Sequence, residues 1–124
     1  METLQKVIAQ DELNFTSEAF KNHQKHPIGF ETIREYMARD YQVPEKLEDF
    51  VYISQLLQAR GMQIAIESHR RAKPYCMGTL FWQLNDCWPV TSWSAIDFYG
   101  DKKAFYYQTQ KSFETLLVHV YQNN

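Results

Sequence analysis

No run of basic residues long enough to track a phosphate backbone occurs in this chain, and 13 Lys and Arg against 15 Asp and Glu leave a formal charge of -2. Binding to nucleic acid without sequence preference needs several phosphates neutralised together, so nucleic acid is not an expected partner. Apolar runs are short as well. None approaches the roughly 18 apolar residues of a membrane span, and the first residues lack the charged-then-apolar layout of a secretory leader. The compartment is left open. Cysteine is scarce, with Cys76 and Cys87 alone. Between them Met77 to Leu84 reads as a strand rising about 3.3 Å per residue, which holds the pair apart by more than the roughly 7 Å a disulfide tolerates. Two free, largely buried thiols are expected. Neither a Cys-x-x-Cys motif nor a His pair at helical spacing accompanies them, so no metal or other cofactor is expected.

What remains is an ordinary globular composition, 44% hydrophobic and 23% charged. The 124 residues suit one domain. A complete (β/α)₈ barrel, which needs about 200 residues or more, does not fit.

Helical signals dominate. Residues 2–10 suggest a short first helix, and Thr16 or Ser17 is a suitable N-cap for a second that runs through Phe20 to about His23. The stretch His26-Pro27-Ile28-Gly29 breaks the chain into a loop. Phe30, Ile33, Met37 and Tyr41 then follow the spacing of one helical face, ended by Pro44. From about Glu45 to Ala72 runs the longest pattern, with Phe50, Ile53, Leu57 and Ile64 on one stripe and Tyr52, Leu56, Ala59 and Ile66 beside it. Gly61 on the first stripe costs roughly 1 kcal/mol relative to alanine, which predicts a closely packed neighbour or a bend there. The basic cluster His69, Arg70, Arg71 and Lys73 complements the negative end of this helix.

After Pro74, the run Met77-Gly78-Thr79-Leu80-Phe81-Trp82 resembles a buried parallel strand. Asp101 is the expected cap of a last helix of about 16 residues, and Leu117 to Tyr121 reads as the start of another strand. A single buried strand without neighbours leaves its backbone donors and acceptors unsatisfied. The pattern therefore predicts an α/β protein cut through its sheet.

The stretch Gly78-Thr79-Leu80-Phe81-Trp82-Gln83-Leu84-Asn85-Asp86-Cys87-Trp88-Pro89-Val90, with Ser92-Trp93-Ser94 and Ile96-Asp97 after it, closely resembles the last barrel strand and following loop of the β-mannosidases. These belong to the glycoside hydrolase family of β-galactosidase-like and β-glucuronidase-like enzymes, family 2. His69-Arg70-Arg71 with Pro74-Tyr75, and His23-Gln24-Lys25-His26-Pro27, resemble the same subgroup. The resemblance implies an α/β fold, the C-terminal part of a TIM barrel, mostly helical in isolation with one buried barrel strand. Residues 1–116 would be barrel from after strand seven through helix eight, and residues 117–124 would enter a following β-sandwich domain. It also implies a retaining hydrolase of terminal β-D-mannosides, with a β-mannoside as its partner.

Retaining glycosidases use two carboxyl groups about 5–5.5 Å apart. The family's Asn-Glu and Ser-Glu-aromatic-Gly motifs are not in this sequence; Ser17-Glu18-Ala19-Phe20 matches only superficially and sits in a helical pattern. No catalytic residue is assigned, and the chain alone is expected to be inactive. The resemblance makes Trp82 the floor of the sugar pocket, whereas periodicity alone makes it a core aromatic. Asn85 and Asp86 either bind sugar hydroxyls or hold the loop through local hydrogen bonds, the latter being the simpler role. Trp88, like Trp93, either lines the pocket or covers the barrel rim. His23 and His26 are expected to play local structural roles, and Asp97 and Glu67 solvated or capping ones. Open strand edges predict self-association. The alternative is a helical module that binds carbohydrate or protein without chemistry.

Overall fold

The computed structural model describes residues 1–118, and its regular elements are helical. In chain order they are α1 (Glu2–Gln5), a 3₁₀ turn (Gln10–Glu12), α2 (Glu18–Asn22), α3 (Gly29–Asp40), α4 (Leu47–Arg71) and α5 (Ala104–Ser112). No helix among the described residues is long and apolar enough to cross a membrane. The first predicted helix is shorter than expected and gives way to the 3₁₀ turn. Ser17 does cap α2, its hydroxyl accepting from the Phe20 N–H at 3.0 Å.

Leu4, Ile8, Phe20 and Phe30 form an apolar cluster below α1 and α2. Phe15, which carried no helical signal, is its hub. Its ring meets Phe20, Phe30 and Phe50 edge-on at 5.7, 6.0 and 4.8 Å, and Phe20 stacks on Phe30 at 4.6 Å. The Arg34 guanidinium covers Phe15 and Phe50. Of the α3 face, Phe30 and Met37 are buried, Ile33 is half-buried and Tyr41 is exposed.

Helix α4 packs chiefly along α5. The Gln55 side chain accepts from the Ala104 N–H at 3.1 Å, and Arg70 donates to the Ser112 carbonyl, so the two helices run in the same direction. The buried face of α4 therefore shifts along its length: Phe50 is buried early, Ala59, Ile66 and Glu67 later, and Ile64 is exposed. Glu67 is thus not solvated. Its carboxylate accepts from Gln63. A Cβ on Gly61 would meet nothing within 4 Å, so no neighbour packs closely there. The basic residues His69, Arg70 and Arg71 do fall in the last turn of α4.

The expected buried strand is corrected. Residues 76–81 are unpaired, and Met77 and Leu80 are exposed, Leu80 completely. Extended chain becomes buried strand only when neighbours cover it on both edges and faces, and the described residues contain none. In place of a sheet there are three isolated bridges, Gln24 with Thr91, Asn85 with Ile96, and Ile96 with Lys102. Both cysteines are free, as expected, but Cys76 is half-buried and Cys87 exposed, because the segment that carries them lies at the surface. Asp101 does not cap α5. Its N–H donates to Asp97 in a tight turn, and the helix starts three residues later, at Ala104, on the Gln55 side chain. That helix has 9 residues rather than 16. Of the strand expected at 117–121, residues 119–121 lie outside the described residues, as does most of the expected β-sandwich start at 117–124.

Candidate functional site

Residues 82–103 form an irregular knot held by backbone bonds between distant points of the loop. Ala95 N–H donates to the carbonyls of Gln83 and Leu84, Ile96 N–H to Leu84, Asp86 N–H to Ile96, and Lys103 N–H to Ala95. A second seam joins the knot to the loop after α2. Thr91 N–H donates to His23 and Lys25 N–H to Thr91. His23 Nδ1 lies 2.6 Å from the Pro89 carbonyl, and His26 Nδ1 accepts from the Ile28 N–H at 3.3 Å. Both histidines are engaged in fixing loops, the role expected for them.

The centre of the knot is polar. Asp86 is 3% exposed and its carboxylate accepts from Ser92 Oγ at 2.7 and 2.8 Å, from Ser94 Oγ, and from Lys103 Nζ at 3.5 Å. Lys103 Nζ also reaches Ser94 Oγ at 2.8 Å. Burial pulls the Lys103 ammonium below the ordinary lysine value, opposed by the negative charges of Asp86 and Asp97. Asp97 is buried beside it. Its carboxylate accepts from the Tyr99 and Asp101 N–H groups and from Thr3 Oγ1, a capping role as expected but not a solvated one.

The four residues singled out from sequence separate into two kinds. Trp82 stands out from the knot, 77% exposed, and among the described residues its indole has no ring partner or hydrogen bond. Its flanks are fixed: Phe81 lies edge-on to Phe105 at 5.0 Å, and the Gln83 side-chain oxygen accepts from Trp93 Nε1 at 3.3 Å. Trp88 is 38% exposed and tilts against His23 with ring centroids 6.1 Å apart. Asn85 is exposed and its amide donates to the neighbouring Asp86 carbonyl. Asp86 faces inward. Trp93, half-buried, is anchored through its carbonyl by Gln58 of α4.

The partners of Asp86 were missed in the sequence. A usable signal existed, since Ser92 and Ser94 alternate around Trp93, and in extended chain that spacing places both hydroxyls on one side and the indole on the other. A cavity of about 1140 Å³ lies between α3, α4 and the knot, with Phe50, Gln58, Trp93 and Lys103 in its wall, and none of Trp82, Asn85, Asp86 or Trp88 lines it. Among the described residues no group of three or more His, Cys, Asp or Glu side chains is placed to hold a metal ion. The outward-facing chemistry of the knot is therefore aromatic, a flat indole on a rigid mount.

The solved structure of a β-D-mannosidase from Dictyoglomus thermophilum superposes on 90% of this chain with a TM-score of 0.85 and 37% sequence identity. By sequence and by fold, the chain is homologous to one part of the β-mannosidases. Beta-mannosidase B of Emericella nidulans is 31% identical over 116 residues, 85% of this chain, and the β-mannosidase of Rattus norvegicus is 29% identical over 128 residues, 93% of this chain. The chain spans 14% of the length of each of these relatives. No family model matches it. It is thus a mostly helical counterpart of one part of a β-mannosidase.

Proposed function

We propose that this chain works as part of a longer retaining β-mannosidase, in which residues 77–82 are strand eight of a TIM barrel and Trp82 is a wall of the sugar pocket. Residues 1–116 belong to the barrel in this reading, and 117–124 lead into a β-sandwich. The exposed Trp82 indole, mounted at the end of an uncovered apolar strip that includes Met77 and Leu80, is the observation that carries it. Active sites of this fold gather at the C-terminal ends of the strands, and a strand-eight tryptophan there faces the substrate.

An indole suits one face of a pyranose. Its ring packs on the C–H groups of the sugar while its N–H donates to a hydroxyl, which fixes the ring against the reacting groups. Cleavage with retention then proceeds through a carboxylic acid that protonates the leaving oxygen and a carboxylate that attacks the anomeric carbon. Both carboxyl groups come from other parts of the longer protein, since Asp86 and Asp97 are turned inward onto their own partners. Asn85 and Trp88 lie on the same loop and border the pocket; Asp86 supports the loop from behind. The uncovered strip also supports self-association of the 124-residue chain.

The test is hydrolysis of a chromogenic β-mannoside by the longer protein, by its Trp82→Ala variant and by the 124-residue chain. Activity of the longer protein is expected to fall by about two orders of magnitude with Trp82→Ala, the size seen when a positioning group is lost. The 124-residue chain should be silent. Full activity in the variant, or hydrolysis by the short chain, would overturn the assignment.

A further inference from the structure

The mount of Trp82 contains a buried charge pair whose position in the chain is informative. The Asp86 side chain is fully enclosed and that of Lys103 is 16% exposed, so their partners are internal. The pair spans the same gap as the backbone: Asp86 N–H donates to Ile96 and Lys103 N–H to Ala95. From this point the order runs outward to Trp82 on both sides. Gln83 is held through its carbonyl by Ala95 and through its side chain by Trp93, and Phe81 is held by Phe105, two residues after Lys103. Among the described residues the indole itself has no partner, so these flanks set its direction.

We infer that Asp86 and Lys103 are positioning residues: their buried pair, clasped by Ser92 and Ser94, sets the direction in which Trp82 presents its indole and thereby the affinity of the sugar pocket. This rests on the function proposed above. A carboxylate so fully engaged does not reach substrate, and its loss is felt through the loop that carries Trp82. Removing one partner leaves the other charge buried without compensation, whereas removing both leaves a neutral pair. The two substitutions are therefore coupled.

The experiment compares Asp86→Asn, Lys103→Met and the double variant. In the longer protein, each single variant is expected to raise KM for p-nitrophenyl β-mannoside about tenfold with a smaller change in kcat, the pattern of weakened binding, and the double variant is expected to be no worse than the poorer single one. Unchanged KM in folded variants would overturn the inference and leave the pair a fold stabiliser. If the unsubstituted longer protein does not cleave the β-mannoside, the functional reading fails and the indole N–H resonances of Trp82 and Trp93 in the 124-residue chain decide, once assigned by single Trp→Phe changes. Shifts in both on Lys103→Met would then uphold the mount, and unmoved resonances would sink it. Should Lys103→Met not fold, Ser94→Ala removes one clasping bond without stranding a charge and is read in the same two ways.

Discussion

The aromatic cluster around Phe20 and the polar knot around Asp86 are buried to a similar depth, 1% and 3% exposed, yet different forces hold them. The cluster is four phenyl rings under two short helices, and its stabilisation grows with the apolar area removed from water. Direction matters little there. In the knot a carboxylate is enclosed by two hydroxyls and an ammonium, and each lost bond exposes a desolvation cost. The cluster holds the helices together. The knot orders the flanks of one surface tryptophan, as the proposed sugar pocket would require of its support.

The largest expected effect breaks the first side of this comparison. Phe20→Ala removes a ring that contacts both Phe15 and Phe30, and should cost about 3–5 kcal/mol, read from the urea midpoint. A loss below about 1 kcal/mol would mean that the cluster collapses around the gap and is not a rigid core. The indole resonances of the knot should move little, since the bonds that enclose Asp86 and hold the Trp93 indole are made within residues 82–103.

The same contrast governs how far the sequence could be read. Ser17 as a cap, the Phe30 and Met37 face of α3, and the long α4 all follow from local spacing, and all are present. Phe15 escaped because it lies in a turn with no period to place it. Asp86 finds its partners 6, 8 and 17 residues away, and no helical or strand repeat joins such positions. Asp101 was misassigned for a related reason: aspartate favours both caps and turns, and the Asp97 turn claimed it while Gln55, far upstream, supplied the cap. Composition suggested a strand at 77–82, and the structure leaves the segment unpaired, because a buried strand depends on neighbouring strands and not on the segment itself.

A smaller effect sharpens the second side. Native Lys103 releases its proton below the ordinary value of 10.5, so between its lowered value and 10.5 the unfolded chain binds more proton than the native one. Stability contributed by this residue therefore rises with pH across that window. The gain is at most about 1.4 kcal/mol per pH unit. Urea unfolding of the unsubstituted chain and of Lys103→Met between pH 8 and 10.5 isolates it, because the other titrating groups are shared. A difference that does not change with pH would place Lys103 in contact with water and remove the enclosed charge from the comparison.

The smallest effect tests where the two forces meet. Ser17 contributes a single directional bond, to the N–H of Phe20, the residue at the centre of the undirected cluster. Ser17→Ala should cost about 1 kcal/mol, and Ser17→Asp, which keeps an acceptor at the helix N-terminus, close to nothing. Helix α2 has five residues, too few to persist without packing. The cap and the ring therefore stabilise the same turn, and their losses should not add. In a Phe20→Ala background, Ser17→Ala is expected to cost measurably less than it does alone. Full additivity would show that α2 holds its shape independently of the cluster, and that a directional bond matters as much at this edge as it does in the knot.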